Sequence, residues 1–373
     1  MITMRGQFNS ANIFIDEIDE TTREQIQAFL NHPAFANGYI AIMPDCHAGV
    51  GAVIGFTMQM NGYVIPNIVG VDIGCGVLAA DIGKRDIDLV ALDKFIHEEI
   101  PAGFRIYEKA RGGLAVEGLA DICASIGYDY DRAIRSLGTL GGGNHFIEVD
   151  VDEAGASWLL IHSGSRNFGL SVANFYQKKA KEAMDAYFIR DEYKGLEFIP
   201  PGTGWDEEYL RAMKVAQDFA KHNRRDMMEH LVNFLGIEEW REIESVHNYI
   251  DLHRRIVRKG AISAQSGEEC IIPLNMRDGA IVGLGKGSSK YNYSAPHGAG
   301  RTMSRKKAKE TLSLADFQDG MKRAGVYTTT ATAETLDEAP EAYKAKDTIL
   351  AAIDETIHII GRLKPIYNFK ASE

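Results

Sequence analysis

Apolar residues fall along this chain in two rhythms. Up to residue 83 they come as short runs broken by glycine and polar turns: GYIAIMPDC (38–46), GAVIGFTMQM (51–60) and GYVIPNIVGVDIGCGVLAADIG (62–83). Runs of that length, rich in β-branched residues, predict short strands, and Asn61-Gly62 between two of them predicts a hairpin turn. SWLLIHSGSR (157–166) reads as a buried strand entering a polar turn, and ECIIPLNMRDGAIVGLGKGSS (269–289) as a further strand pair.

The second rhythm is helical. In residues 205–236, Leu210, Met213, Ala216 and Ala220 recur at helical spacing, and Met227, Leu231 and Phe234 continue it after a polar break. Acidic residues open that segment and Gly236 closes it, as helix termini prefer. Near the C-terminus Ile349, Ile353, Ile357 and Ile360 predict another helix, ended by Gly361 and Pro365. His222, His230 and His358 sit on the flanks of these patterns and read as surface residues. No repeat or low-complexity linker divides the chain. Glycine-rich polar segments are spread over most of its length, which predicts one integrated α+β domain over residues 1–373, a mixed fold with a β-rich core and peripheral helices.

Composition narrows the class. The 373 residues are 45% hydrophobic, enough for a sizeable core, and carry a formal net charge of −11. Such acidity argues against a generic nucleic-acid coat protein, although a local basic cleft can act on an acidic chain. RTMSRKKAK (301–309) and KHNRR (221–225) are the two basic patches that could meet a polyanion. No apolar run approaches the ~18–20 residues of a membrane span, and the N-terminus lacks a signal-peptide core, so no membrane partner is expected. Cys46, Cys75, Cys123 and Cys270 are few and scattered, which suits a reducing cytoplasm better than a disulfide framework.

Four segments share one texture, a strand-like run with glycines and a metal-capable side chain: VGVDIGCG (69–76), LGGGNHF (140–146), LLIHSGSR (159–166) and ESVHNY (244–249). They supply Asp72, Cys75, His145, His162 and His247. Five such donors exceed one tetrahedral site and suit two metals that share a ligand. A thiolate can bridge two cations, which makes Cys75 the shared residue. Each residue alone reads more simply as structural, a hydrogen-bonded histidine or a small buried thiol; the combination points to metal. In YNYSAPHGAGRTMSR (291–305), His297 lies between Pro296 and Gly298 with no periodicity around it. That punctuation fits either an ordinary turn or a site where a ligand approaches the backbone. Competing motifs fail: GLGKGSS (283–289) lacks the Ser/Thr and leading glycine of a P-loop, HSGSR is not a GxSxG elbow, and no HExxH occurs.

PDCHAGVG, VGVDIGCG, GTLGGGNHFIEV, HSGSRNFG, VHNY, NYSAPHGAGRTMSR and RLKPIYNFK together resemble the RtcB family of GTP-dependent RNA ligases, from about residue 40 to the C-terminus. The resemblance implies an RtcB-like fold and a ligand set for two manganese ions at Asp72, Cys75, His145, His162 and His247, shared at Cys75. It implies that His297 attacks the α-phosphate of GTP and becomes guanylylated. Asn144, Glu148, Asn248, Tyr343 and Lys370 match residues that hold the guanine nucleotide, with Pro273, Asn275, Met276, Gly298 and Gly300 in the adjoining loops. Glu148 is expected to accept from the guanine edge rather than act as a base. Arg166 matches an arginine near the RNA phosphate, Asp45 lies in a motif close to the metals, and Arg301 joins them as a substrate contact.

The implied reaction joins RNA ends bearing a 2′,3′-cyclic phosphate or 3′-phosphate to 5′-hydroxyl ends, in repair or tRNA splicing. Archease is the protein partner the family suggests, and a domain of this size is compatible with a monomer. One departure stands out: better-known members carry Pro-Gly-Ser-Met where this chain has Pro273-Leu-Asn275-Met276, followed by Arg-Asp-Gly. The chain also ends in KASE rather than Lys-Gly. The alternatives are a dinuclear-metal phosphoesterase that has lost ligation and a non-catalytic protein that binds RNA ends. Intact SAPHGAGR speaks against the first, and five retained metal donors against the second.

Overall fold

A computed structural model describes residues 1–111, 115–186 and 193–371. The chain opens with strands β1 (Ile2–Arg5) and β2 (Ser10–Ile13), helix α1 (Glu20–Leu30), and strands β3 (Ile40–His47) and β4 (Ile54–Gln59). The Asp19 carboxylate accepts from Thr22 N and so starts α1, satisfying an otherwise orphan N–H. Strand β5 (Gly76–Gly83), helices α2 (Leu89–Glu99), α3 (Leu119–Ile126) and α4 (Tyr130–Arg135), and the hairpin β6 (Phe146–Val151) with β7 (Ser157–Ser163) follow. Two long helices come next, α5 (Arg166–Ala186) and α6 (Trp205–Phe234). The remainder is mainly strand: β8 (Arg241–Val246), β9 (Asn248–Asp251), β10 (Ile256–Lys259), β11 (Ala261–Ser263), β12 (Glu269–Asn275), β13 (Gly279–Gly285) and β14 (Ser294–Pro296). Helices α7 (Arg305–Thr311), α8 (Leu314–Ala324) and α9 (Lys346–Ile353) precede the final strand β15 (Ile357–Lys370).

Seven strands, in the order β12-β13-β15-β6-β7-β5-β8, form an antiparallel sheet that curls until its end strands meet. Ile271 N on β12 donates to Ser245 Oγ on β8 at 2.9 Å. Alternation then decides what lies inside the curl. Val77, Ala79, Trp158, Leu160, Ile243 and Val282 form one buried cluster there. Their neighbours Leu78, Ala80, Ile147, Val149, Leu159 and Ile161 face outward onto Leu92 and Ile96 of α2 and Met227, Met228 and Leu231 of α6. Each fully buried side chain of this kind contributes roughly 1.5–3 kcal/mol. The same parity carries Phe146 and Glu148 on β6, and His162 on β7, to the inner face. A second sheet, β1-β2-β3-β4-β10-β9, packs with α1, α5 and the first half of α6. The short ladder β11-β14 delivers the chain to His297.

This is the mixed α+β architecture expected, with three local differences. Asn61-Gly62 does not turn a hairpin: β4 pairs with β3 and β10, and Asn61 Nδ2 instead donates to Ala34 O and Ala36 O at 2.7 and 2.6 Å. In the run 62–83 only Gly76–Gly83 is a strand, because the glycines before it take positive φ and form the loop that holds Asp72 and Cys75. The C-terminal helix is only Lys346–Ile353; Ile357 and Ile360 belong to β15, which continues through Gly361 and Pro365. Pairing with β13 on one side and β6 on the other outweighs the helical spacing of the isoleucines. Gly361 and Pro365 are tolerated beside register shifts, where a missing side chain or N–H costs least.

Candidate active site

At the mouth of the curled sheet the backbone stitches two donor-bearing segments together. His247 N donates to Cys75 O at 2.9 Å, Gly74 N to Asn248 O at 2.8 Å, and Asn248 Nδ2 to Asp72 O at 3.2 Å. The side chains converge. Cys75 Sγ lies 3.2 Å from His162 Nε2 and 3.6 Å from His145 Nε2, His145 Nε2 lies 3.1 Å from Asp72 Oδ2, and His162 Nε2 lies 3.4 Å from His247 Nε2. They form two groups whose ligand atoms all lie within 4.8 Å of one another, Cys75 with His162 and His247, and Asp72 with Cys75 and His145. Cys75 belongs to both.

The imidazoles are oriented from behind. His145 Nδ1 is 2.8 Å from Leu140 O and His162 Nδ1 is 3.1 Å from Asn144 O. A carbonyl can only accept, so Nδ1 carries a proton in both rings, and His162 turns its Nε2 lone pair into the cluster. Burial drives His162 and His247 well below the usual histidine range, so both are neutral and able to bind a cation. Burial also pushes the Cys75 thiol well up. Burial acts to raise Asp72, but the hydrogen bond and charge of His145 outweigh it and hold the carboxyl down to about 2. Gly164 must be glycine, since a Cβ there would run into the Asp72 carboxylate.

Helix α6 braces this arrangement. Arg224, fully buried, donates through Nη1 to Gly74 O and Ser163 O, both at 2.8 Å, and through Nη2 to Glu244 at 2.8 Å. One guanidinium thereby ties together the segments that carry Cys75, His162 and His247. The 221–225 patch is therefore not a polyanion surface at its centre: Asn223 and Arg224 point inward, and Arg225 pairs with Glu242.

His297 stands beside the cluster, its ring 4.8 Å from that of His247. Its Nδ1 is 2.7 Å from Asp45 Oδ2, and the same oxygen accepts from His297 N at 3.2 Å. Asp45 is fully buried, so it faces the back of His297 rather than the open cleft. With Nδ1 donating to the carboxylate, Nε2 is left with its lone pair.

The other end of the cleft is lined by Glu148, Asn368 and Lys370. Asn368 Nδ2 donates to Glu148 Oε2, and Lys370 Nζ donates to Asn144 O at 3.0 Å. Burial pushes Glu148 up to about 7, and burial beside Glu148 raises the adjacent Asp150 well above the ordinary aspartate range. Glu338, 1% exposed, is a hub that sequence reasoning missed. It pairs with Lys370 at 3.1 Å, Arg305 at 2.9 Å and Arg301 at 3.1 Å, and accepts from Tyr343 OH. Asn275, expected at the nucleotide, is consumed by its own turn: Oδ1 accepts from Arg277 N and Asp278 N at 3.0 Å each, and Nδ2 donates to Asp278.

A cleft of about 290 Å³ brings the expected residues together. Asp72, Cys75, His162, His247, Asn144, Glu148, Asn248, Pro273, Asn275, Met276, His297, Gly298, Gly300, Arg301, Tyr343 and Lys370 all line it. His145, Asp45 and Arg166 stand outside its lining. Arg166 is spent on the protein, with Nε on Thr139 Oγ1 at 2.9 Å and Nη2 on Gly103 O at 2.7 Å; burial lowers it to about 10. His47, Phe146, Arg305 and Asn368 line the cleft and were not singled out. Asn368 had a signal, two residues before Lys370 on one strand, and Arg305 had one in the 301–309 patch. Glu338 had none, and Arg224 lay in the 221–225 patch, which pointed to a surface role instead.

The chain matches the family described as "tRNA-splicing ligase RtcB" over residues 25–125 and 120–371. It is similar to the RNA-splicing ligase RtcB of Escherichia coli strain K12, 33% identical over 94% of each chain. It is also similar to the tRNA-splicing ligase RtcB of Aeropyrum pernix, 28% identical over 88% of this chain and 87% of that one. The corresponding protein of Thermococcus kodakarensis is 27% identical, over 88% and 86%.

Proposed function

The chain belongs to the RtcB family, and from that premise we propose that it is an RNA ligase, dependent on GTP and manganese, acting as one domain in a reducing cytoplasm. Its substrates are RNA ends with a 3′-phosphate or 2′,3′-cyclic phosphate and ends with a 5′-hydroxyl, in repair or tRNA splicing. The observation that carries the reading is His297, held by Asp45 beside two donor groups joined at Cys75. A mixed set of one carboxylate, one thiol and three imidazoles fits two divalent cations. Bound there, such ions would offset the charge of the phosphates that meet in the cleft.

The chain's own residues do the rest. His297 Nε2 attacks the α-phosphorus of GTP, the N–P bond forms, and the bond to the leaving pyrophosphate breaks. The imidazole gains positive charge in that step, and the Asp45 carboxylate against Nδ1 stabilises it. Lys370 and Arg305 stand in the cleft to meet phosphate or ribose oxygens, and Glu148 accepts from the guanine edge. GMP then passes to the RNA 3′-phosphate as the N–P bond breaks. Attack by the 5′-hydroxyl on the activated RNA phosphorus forms the phosphodiester and releases GMP.

The test is incubation with α-labelled GTP and Mn²⁺, denaturation, and a search for acid-labile label on the chain, alongside sealing of RNA ends. Label and sealing in the wild type, both lost in His297→Ala, are expected. A metal-loaded protein that takes no label and opens cyclic phosphates without GTP would overturn ligation in favour of a phosphoesterase.

A further inference from the structure

The loop after α2 presents an aromatic ring to solvent on a stiff base. Phe104 is 88% exposed. A lone exposed phenylalanine is unremarkable on a protein surface, but the backbone on either side of this one is held from several directions. Leu140 N donates to Pro101 O at 2.9 Å, Gly103 N to Gly141 O at 2.7 Å, and Tyr107 N to Arg135 O at 3.0 Å. Arg166 Nη2 donates to Gly103 O at 2.7 Å, and Arg105 N closes the turn onto Ala102 O at 3.3 Å.

The base is also continuous with the candidate active site. Gly141 packs against both the Arg166 guanidinium and His145 Nδ1, so a Cβ on it would meet each of them. A path of direct contacts therefore runs from the cluster at His145 through Arg166 to Gly103, and the ring is on the next residue. Phe104 is thus the residue that directly follows the carbonyl Arg166 holds. Arg105, beside it, is exposed and makes no ion pair among the described residues. An exposed aromatic face on a fixed backbone, with a cation beside it in the chain, is how proteins hold unpaired bases of single-stranded RNA, by stacking with a phosphate contact alongside.

We propose that Phe104 is a stacking platform for the base of the 3′-terminal nucleotide of the RNA, with Arg105 meeting the neighbouring backbone phosphate. The inference rests on the ligase reading and names how that site grips its substrate. Stacking suits an enzyme that acts on ends of many sequences, since every base offers a π-face.

The experiment uses the full chain with Mn²⁺, without GTP, and a short single-stranded RNA ending in a 3′-phosphate with 2-aminopurine as its last base. Binding quenches the fluorophore in the wild type. Phe104→Ala loses the quench and weakens Kd by about 5- to 140-fold, the range equivalent to 1–3 kcal/mol of stacking at 1.4 kcal/mol per tenfold. Phe104→Trp restores both readouts, and Arg105→Ala lowers the slope of log Kd against log salt by about one. Equal Kd and equal quench in wild type and Phe104→Ala, with the wild type still sealing RNA, would overturn this inference alone. A wild type that neither binds nor seals such RNA would overturn the ligase reading beneath it.

Discussion

Asp45 Oδ2 lies 2.7 Å from His297 Nδ1 and accepts from the His297 backbone N–H as well, so one buried carboxylate sets both the place and the tautomer of that ring. Gly300 makes the approach possible: its φ is +70°, and a Cβ on it would collide with the Asp45 backbone. The pairing joins positions far apart in sequence.

Asp45→Asn keeps the shape and removes the acceptor charge. Its side chain can donate to Nδ1, which would turn the lone pair away from Nε2. Single-turnover labelling with α-labelled GTP is expected to slow by at least tenfold, or about 1.4 kcal/mol in barrier. An unchanged rate would mean that Asp45 only fills space.

Cys75 belongs to both donor groups, whereas His145 belongs to one. Elemental analysis of Mn-loaded protein should therefore find that Cys75→Ser falls from about two ions per chain to below one, because both groups lose a donor. His145→Ala should keep about one. Equal losses in the two variants would argue against a shared thiolate.

Glu338 is buried among Lys370, Arg305 and Arg301. Burial alone would raise its carboxyl, but those three cations outweigh it and hold the group below the ordinary glutamate range. A depressed folded-state value means stabilisation present above the unfolded value of about 4.3 and lost as pH falls through the folded one. Glu338→Gln should cost about 3 kcal/mol at pH 7, from uncompensated buried cations. Urea unfolding at pH 7 and pH 4 should show that deficit shrinking as the wild-type carboxyl becomes protonated.

Lys259 is 4% exposed and donates to Asn67 O at 3.0 Å and to Val50 O. Burial lowers it to about 7. The unfolded lysine then binds more protons than the folded one between about pH 7 and pH 10.4, so wild-type stability should rise with pH across that window. Thermal melts of the wild type and Lys259→Met, paired at pH 7 and pH 9.5, should show the wild type gaining by up to ~1.4 kcal/mol per pH unit. A difference independent of pH would place the lysine's folded-state value near that of the free side chain.

The residues of the candidate site were legible largely because glycine-bounded strand ends carry a local signature: His145, His162, His247 and the Asp72–Cys75 loop each announce themselves in a few letters. The convergence of Cys75 with both histidine sets, and of Lys370 with Glu148, needed the curled sheet. Ile349, Ile353, Ile357 and Ile360 misled because helical spacing is a local cue, whereas β15 exists by pairing with β13 and β6, strands about 75 and 215 residues earlier. Asn275 lines the cleft as expected, with an addition that sequence does not carry. Its type suits a phosphate or ribose contact, but only three-dimensional placement shows its amide closed onto Arg277, Asp278 and their turn. Arg224 looked like part of a surface charge run and is instead the buried brace beneath the cluster.

Residue chemistry and short-range spacing are written in the chain itself, so the sequence alone determined the metal-capable donors, the nucleophile candidate between Pro296 and Gly298, and membership of a β-rich mixed fold. Tertiary structure decided which of them touch. It chose Asp45 as the partner of His297, made Glu338 the hub for three cations, and set the Gly103 carbonyl against Arg166. Those choices depend on contacts between segments tens to hundreds of residues apart, and the free energy of such contacts is set by the packed whole rather than by any window of the chain.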